Sequence, residues 1–226
     1  MIRALYSAAS GMTAQQTNVD NIAHNLANSN TAGFKSRRPQ FQDLMYQTMV
    51  QPGAAAGAQT TVPTGLQLGL GTRAASNEII FTQGNFTQTS NPLDLVIQGN
   101  GFFQVRTPNG DLAYTRAGQF QLNRDGSLVD ANGNLLDPQV TLPQNAQSIT
   151  IATDGTVSYT LPSQTAAQTA GPIQLANFIN PAGLNCLGQK LYQPTTASGD
   201  PIVENPGGHA GLGAITQCYG DQSTDR

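Results

Sequence analysis

The sequence predicts an α+β protein in which a long N-terminal amphipathic helix is followed by a mainly antiparallel β domain. Two patterns support this fold class. Between residues 2 and 27, apolar residues recur in alternating steps of three and four, which is the repeat of a coiled-coil seam. Between residues 79 and 205, short apolar runs are separated by Asn-Gly and Asp-Gly pairs, which are strong hairpin signals.

The predicted helix would be roughly 40 Å long at about 1.5 Å per residue. Asn28, Asn30 and Gly33 tolerate left-handed backbone and mark its end. One interpretation is a surface helix that packs on its own domain. The other is an assembly seam for a partner helix, which the narrow stripe at a chain terminus favours. The positions on the 3.5-residue repeat are Ile2, Leu5, Ala9, Met12, Gln16, Val19, Ala23 and Leu26, with Ile22 widening the stripe.

The segment after the helix is less clearly patterned. Phe41, Leu44, Met45 and Met49 have helix-like spacing, so residues 34–50 are predicted to form a second, shorter helix or an ordered arm. Residues 51–71 are rich in Gly, Ala, Pro and Thr, which predicts an extended, non-helical connector.

Turn pairs organise the predicted β region. Evenly spaced hairpins predict an antiparallel sandwich or a barrel-like domain. Residues 163–171 look like a surface loop within it. The turn pairs are Asn100-Gly101, Asn109-Gly110, Asp125-Gly126, Asn132-Gly133 and Asp154-Gly155.

We therefore expect four segments along the chain. They are a coiled-coil-type helix and its following motif at 1–46, an extended connector at 47–78, a β-rich outer domain at 79–206, and a return segment with a short C-terminal tail at 207–226.

Composition excludes several classes of function. Charged residues make up 10% of the chain, against about 25% in an average domain, and the net charge of −3 leaves no basic patch for nucleic acid. No apolar run of about 20 residues exists to span a membrane, and the N-terminus lacks the pattern of a cleaved signal peptide.

No constellation in the sequence predicts catalysis, a metal or a cofactor. Cys186, Cys218, His24 and His209 make neither a zinc set nor a disulfide framework, although an oxidising compartment would allow a Cys186–Cys218 bridge. His24 occupies a polar helix position, and His209 lies in a glycine-rich stretch unsuited to holding a catalytic group. We predict that the chain is not an enzyme.

The segment after the helix carries a long motif. Residues 25–35 read NLANSNTAGFK, and this resembles the signature of the flagellar basal-body rod and hook protein family. Later segments, among them DLVIQG at 94–99 and YTRAG at 114–118, fit the middle of the same family, and the resemblance covers residues 1 to about 219. Within the family, the chain resembles the distal rod type most strongly. The motif residues that match are Asn25, Leu26, Ala27, Asn28, Thr31, Gly33, Phe34 and Lys35.

The resemblance implies a structural subunit of the distal rod, which polymerises into a helical tube that transmits torque from motor to hook. Family members leave the cell uncleaved through the flagellar export apparatus and assemble across the periplasm. Their neighbours are other rod subunits, the hook protein, and the P-ring and L-ring proteins, with no nucleic acid and no membrane insertion. The large apolar seam residues would then be the assembly seam: Ile2, Leu5, Met12, Val19, Ile22 and Leu26.

The chain departs from the family pattern near its end. Family members continue past Tyr219 with a long amphipathic helix, whereas this sequence continues only with residues 220–226, so we expect the inner-layer partner helix to be absent from it. Cys218 also stands where the family usually has glycine.

Two other functions remain open at this point. One is a proximal rod or hook subunit of the same family, which residues 48–71 would distinguish. The other is a peptidoglycan-binding β module, which paired acidic residues in a cleft would support; the acidic residues here are scattered along the chain.

Overall fold

A computed structural model describes residues 2–53, 55–57, 60–162, 164–208 and 211–223. The chain divides into two compact units, one made of Met1–Ala27 with Arg37–Ile79 and the other of Asn28–Ser36 with Ile80–Arg226. The first contains the long helix, α1 (Ile2–Ala27), and nearly every other element of the chain is a β-strand. The α+β class and the predicted helix are therefore confirmed, whereas the four-segment division stays a prediction.

The first unit is α1 with a nested β-hairpin arm. All three strand pairs are antiparallel: β1 pairs with β6, β2 with β5, and β3 with β4. The strands are β1 (Arg37–Asp43), β2 (Tyr46–Val50), β3 (Ala55–Gly57), β4 (Thr60–Thr61), β5 (Leu66–Gly69) and β6 (Thr72–Ile79).

This arm corrects the interpretation of residues 34–50. The helix alternative is wrong, because residues 37–43 and 46–50 are strands whose partners follow 16 to 42 residues later in the chain (Val50 faces Leu66, and Arg37 faces Ile79). Residues 51–71 are non-helical, as expected, but they contribute β3, β4 and β5 to the arm. Phe41 lies in β1 and Met49 in β2, and residues 44–45 link the two strands.

The described part of the second unit contains the remaining strands and one 3-10 turn, η1. The elements are β7 (Phe86–Gln88), β8 (Leu95–Gln98), β9 (Phe102–Arg106), β10 (Leu112–Thr115), β11 (Gln121–Leu122), β12 (Leu128–Val129), β13 (Leu135–Asp137), β14 (Ser148–Ile151), β15 (Thr156–Leu161), β16 (Gln164–Pro172), β17 (Leu175–Asn177), η1 (Pro181–Gly183), β18 (Asn185–Gly188), β19 (Leu191–Gln193), β20 (Ile202–Glu204), β21 (Ala214–Gln217) and β22 (Tyr219–Asp221).

A nine-stranded sheet holds the core of this unit. Its main path runs β11-β12-β13-β9-β10-β19-β18, and β17 joins β9 to β20. A three-stranded sheet, β14-β15-β16, and the ribbons β8–β21 and β7–β22 complete the unit. Phe103 and Phe120 are fully buried and meet edge-on, with ring centroids 5.2 Å apart. Every named strand pair is antiparallel, which confirms the predicted character of the β region.

Four of the five turn pairs close hairpins. Asn109-Gly110 joins β9 to β10, Asp125-Gly126 joins β11 to β12, Asn132-Gly133 joins β12 to β13, and Asp154-Gly155 joins β14 to β15. Asn100-Gly101 does not, because β8 pairs with β21 and leaves β9 to other partners.

The surface loop predicted at 163–171 is wrong for the residues that the structure describes. Gln164–Pro172 forms β16, the longest strand of the unit, which pairs with β15. Its sequence, QTAAQTAGP, contains only small and polar residues and proline, so no apolar pattern indicates it. Ser163, His209 and the tail after Ser223 lie outside the described residues.

Both cysteines are free thiols, so no Cys186–Cys218 bridge is present. Cys218 lies between β21 and β22 with φ = 65°, a left-handed conformation that costs an L-residue roughly 1–2 kcal/mol and glycine almost nothing. The glycine that the family resemblance implies at this position would adopt the same backbone conformation without strain.

Cys218→Gly should stabilise the protein by about 1 kcal/mol, the relief of strain outweighing the entropy of the added glycine. Cys186→Gly is the matched control, because Cys186 lies within β18 and its backbone is not left-handed. That control should lose about 0.5–1 kcal/mol. Urea unfolding of the two variants measures both changes, and a loss of stability in Cys218→Gly would contradict the strain argument.

Candidate assembly site

The apolar stripe of α1 faces solvent in the first unit. Each of its large side chains is between 57% and 84% exposed, although a surface helix normally turns such residues towards its own core. The exposed set is Ile2, Leu5, Met12, Val19, Ile22 and Leu26.

The opposite face of α1 packs on the β1–β6 pair through small and polar residues. Ala14 is the buried residue of the helix. Ser10 Oγ accepts a hydrogen bond from the Thr72 backbone N–H at 3.3 Å, and Asn77 Nδ2 donates to Asn21 Oδ1 at 2.8 Å. The helix therefore covers its hydroxyl- and amide-bearing side and leaves its hydrophobic side open.

Asn25, the first residue of the motif, uses its side-chain amide to make the two hydrogen bonds that a peptide group of a neighbouring strand would make. Its Nδ2 donates to the Arg37 carbonyl at 2.9 Å, and its Oδ1 accepts the Arg37 backbone N–H at 3.1 Å. A carboxamide has the same donor and acceptor as a peptide group, so it satisfies the first residue of β1 at both points. This two-point contact holds the last turn of α1 on the arm.

The motif from Asn28 onward belongs to the second unit. Thr31 and Phe34 form local turns: the Thr31 N–H donates to the Asn28 carbonyl at 2.9 Å and the Phe34 N–H to the Thr31 carbonyl at 3.1 Å. Gly33 has φ = 71°, and a Cβ there would lie 3.0 Å from Ala117 Cα. The motif needs glycine here for both its backbone angle and its close approach.

Lys35 ends the motif as a buried cation. Its side chain is inaccessible to solvent, and its Nζ donates to Asp221 Oδ2 at 2.9 Å and to the Thr82 carbonyl at 3.0 Å. Burial lowers the pKa of Lys35 below its usual value, and the contact with Asp221 opposes that shift. Because an unpaired buried ammonium group is costly, the Lys35 side chain can be buried only while Asp221 pairs with it.

Arg116 is a second buried cation near the same carboxylate. Its guanidinium donates to the carbonyls of Gly101, at 2.5 Å, and of Gly99. Burial lowers the pKa of Arg116, while the field of Asp221 raises it. The hydrogen bonds of Arg116 go to main-chain carbonyls, whereas Asp221 forms its ion pair with Lys35.

Sequence reasoning placed Lys35 in the motif but did not find Asp221. The segment around Asp221 reads as a polar tail, and its partner lies 186 residues away. No local signal connects the two.

Two family models match the chain. The model described as "Flagella basal body rod protein" covers residues 5–35, and the "Flagellar hook protein FlgE/F/G D1 domain" covers residues 96–159. The flagellar basal-body rod protein FlgG of Buchnera aphidicola subsp. Baizongia pistaciae is 45% identical over 223 residues, which is 99% of this chain and 85% of the relative. FlgG of Caulobacter vibrioides is 47% identical over 98% of this chain and 85% of its own length.

The chain belongs to the flagellar basal-body rod protein family. Membership confirms the resemblance read from the motif and the predicted role as a structural subunit of the distal rod, located in the basal body. The flagellar hook protein FlgE of Borreliella burgdorferi is 44% identical over only 59% of this chain, so the rod proteins are the fuller match. The roles of the α1 seam residues and of the motif at 25–35 in assembly remain predictions.

Within the described ranges, no helix is long and apolar enough to cross a membrane. Among the residues that the structure describes, no group of three or more His, Cys, Asp or Glu side chains is placed to hold a metal ion.

Proposed function

We propose that the chain polymerises into the helical tube of the distal rod through the exposed stripe of α1, and that this tube transmits torque from motor to hook. The observation that carries the proposal is the reversed packing of α1, which uses its polar face inside the subunit and keeps its apolar face outside. An apolar stripe of this kind is stabilised when another helix covers it.

The energetics favour assembly from a folded subunit. Each seam side chain that becomes buried contributes roughly 1.5–3 kcal/mol. Ordering a free helix would cost about 1–2 kcal/mol per residue, but α1 already lies on the β1–β6 arm. Head-to-tail contacts that do not close then propagate as a helical filament.

The remaining parts of the proposal follow the family. We propose export by the flagellar apparatus without a cleaved signal peptide, a position in the periplasm-spanning rod, and contacts with other rod subunits, the hook protein, and the P-ring and L-ring proteins. Residues 1–46 would form the inner layer, 47–78 the connecting segment and 79–206 the outer layer. The chain would act by polymerisation and not by catalysis.

The test is incorporation into the organelle. The chain, carrying an epitope tag, is expressed in flagellated cells that lack their own distal rod subunit, and basal bodies are then purified. We expect the tag in the rod fraction, in many copies, between the motor and the hook. A chain that is exported normally but stays in the soluble fraction would contradict the proposal.

A further inference from the structure

Two segments distant in sequence meet in the second unit, namely residues 28–36 and residues 219–223. The Gly33 N–H donates to the Asp221 carbonyl at 2.9 Å, and Ser223 Oγ donates to the Ser29 carbonyl. β22 is itself held by its pairing with β7. The second segment therefore forms part of the surface on which the first one docks.

The ion pair makes this docking asymmetric. Hydrogen bonds between backbone groups can be exchanged for water at little net cost, but the Lys35 ammonium cannot enter an apolar site alone. In the docked state its side chain has 0% exposure and that of Asp221 has 4%. Thr82 supplies only a neutral carbonyl, and Arg116 adds charge of the same sign. Among the described residues, Asp221 is the one carboxylate within ion-pair distance of Lys35.

We propose that the Lys35–Asp221 pair is a latch that makes docking of residues 28–36 conditional on the arrival of residues 219–223. Without the carboxylate, burying Lys35 would leave its ammonium group without a counter-charge in a desolvated site, and the segment would stay open. With the carboxylate in place, the segment closes, and the charge of the Lys35 ammonium group is compensated by that of Asp221. The latch couples the two terminal regions of the second unit through charge, and it does so independently of the polymerisation proposed above.

The test uses hydrogen exchange on the full chain. Asp221→Asn keeps the shape of the side chain and its acceptor for the Gly84 N–H, which lies 3.1 Å from Asp221 Oδ1, but removes the negative charge. We expect the amides of Gly33 and Phe34 to exchange at least about 100-fold faster, because breaking one side of a buried pair leaves the other charge uncompensated. The amides of Leu142 and Ile173, which are bonded within the β unit, should change by less than about threefold.

The double variant Lys35→Met/Asp221→Asn distinguishes a latch from an ordinary contact. Methionine fills a similar volume without charge, so the double variant leaves neither charge of the pair uncompensated, and protection of Gly33 and Phe34 should return to within about tenfold of the wild-type value. Lys35→Met alone should also speed exchange at both amides, because it leaves the Asp221 carboxylate buried without its cation.

Two results would overturn the latch. One is unchanged exchange at Gly33 and Phe34 in Asp221→Asn. The other is a double variant whose segment stays as open as in Asp221→Asn, which would show that the lost contacts of Asp221, rather than the Lys35 charge, hold the segment. If Asp221→Asn unfolds the whole chain, the double variant still decides, because restored folding supports the latch and continued unfolding contradicts it.

Discussion

Replacing Met12 by lysine should abolish polymerisation while leaving the folded subunit almost unchanged. Met12 is 67% exposed in the subunit, so its replacement there should alter the free energy of unfolding by no more than about 0.5 kcal/mol. In the polymer, the variant loses roughly 1.5–3 kcal/mol of apolar burial and places an ammonium group in a desolvated seam. The critical concentration for polymerisation should rise at least about 100-fold, since about 1.4 kcal/mol corresponds to a factor of ten.

Thr13→Lys is the matched control. It adds the same charge one residue further along α1, at an exposed position outside the apolar stripe. Sedimentation and electron microscopy of both variants measure polymerisation, and urea unfolding measures the subunit. Equal loss of assembly in the two variants would show that added charge anywhere on α1 is harmful, and the proposed seam would then be wrong.

Gly118→Ala should be among the most destabilising single substitutions in the β unit. A Cβ at this position would lie 1.8 Å from the Leu95 carbonyl oxygen and 3.1 Å from the Phe103 ring. The carbonyl belongs to the main chain of a residue that is 1% exposed, so relief would require β8 to move out of the core. We expect a loss of about 3 kcal/mol or more, which lowers Tm by roughly 6–12 °C in a domain of this size.

Gly110→Ala provides the comparison for that loss. Gly110 has φ = 92°, and a Cβ there would have no neighbour within 4 Å. Alanine at this position should therefore lower the free energy of unfolding only through its strained backbone, by about 1–2 kcal/mol. Thermal unfolding followed by circular dichroism ranks the two variants. If Gly118→Ala is as stable as Gly110→Ala, β8 can move away from the added methyl group with little loss of stability, and the argument from the buried position of Leu95 is wrong.

Local sequence signals predicted those parts of the fold that depend on neighbours in the chain. The 3.5-residue repeat predicted α1 because 26 residues of one period leave little ambiguity. The hairpin at Asn109-Gly110 was predictable because the turn residues themselves specify its geometry. The pairing of β1 with β6 was not, since it joins residues as far apart as Arg37 and Ile79 and no local pattern encodes it.

The candidate site shows the same division. The motif at 25–35 identified the family, but its physical roles depend on partners elsewhere in the chain. Asn25 serves the main chain of Arg37, and Lys35 depends on Asp221. The seam interpretation looked for the partner of α1 in another helix, whereas within the subunit the structure holds α1 through its polar face on the β1–β6 arm.

The exposed stripe of α1 gives the proposed contact a characteristic dependence on temperature. Covering hydrated apolar side chains lowers the heat capacity of the system, and near 25 °C its driving force comes mainly from the entropy of released water. Such an interaction weakens on cooling, whereas the hydrogen bonds that hold α1 to its own arm, such as the Asn25–Arg37 pair, do not share this dependence. Cold should therefore loosen contacts between subunits before it loosens the subunit itself, so a rod assembled through this stripe would be strongest at the warm end of its working range.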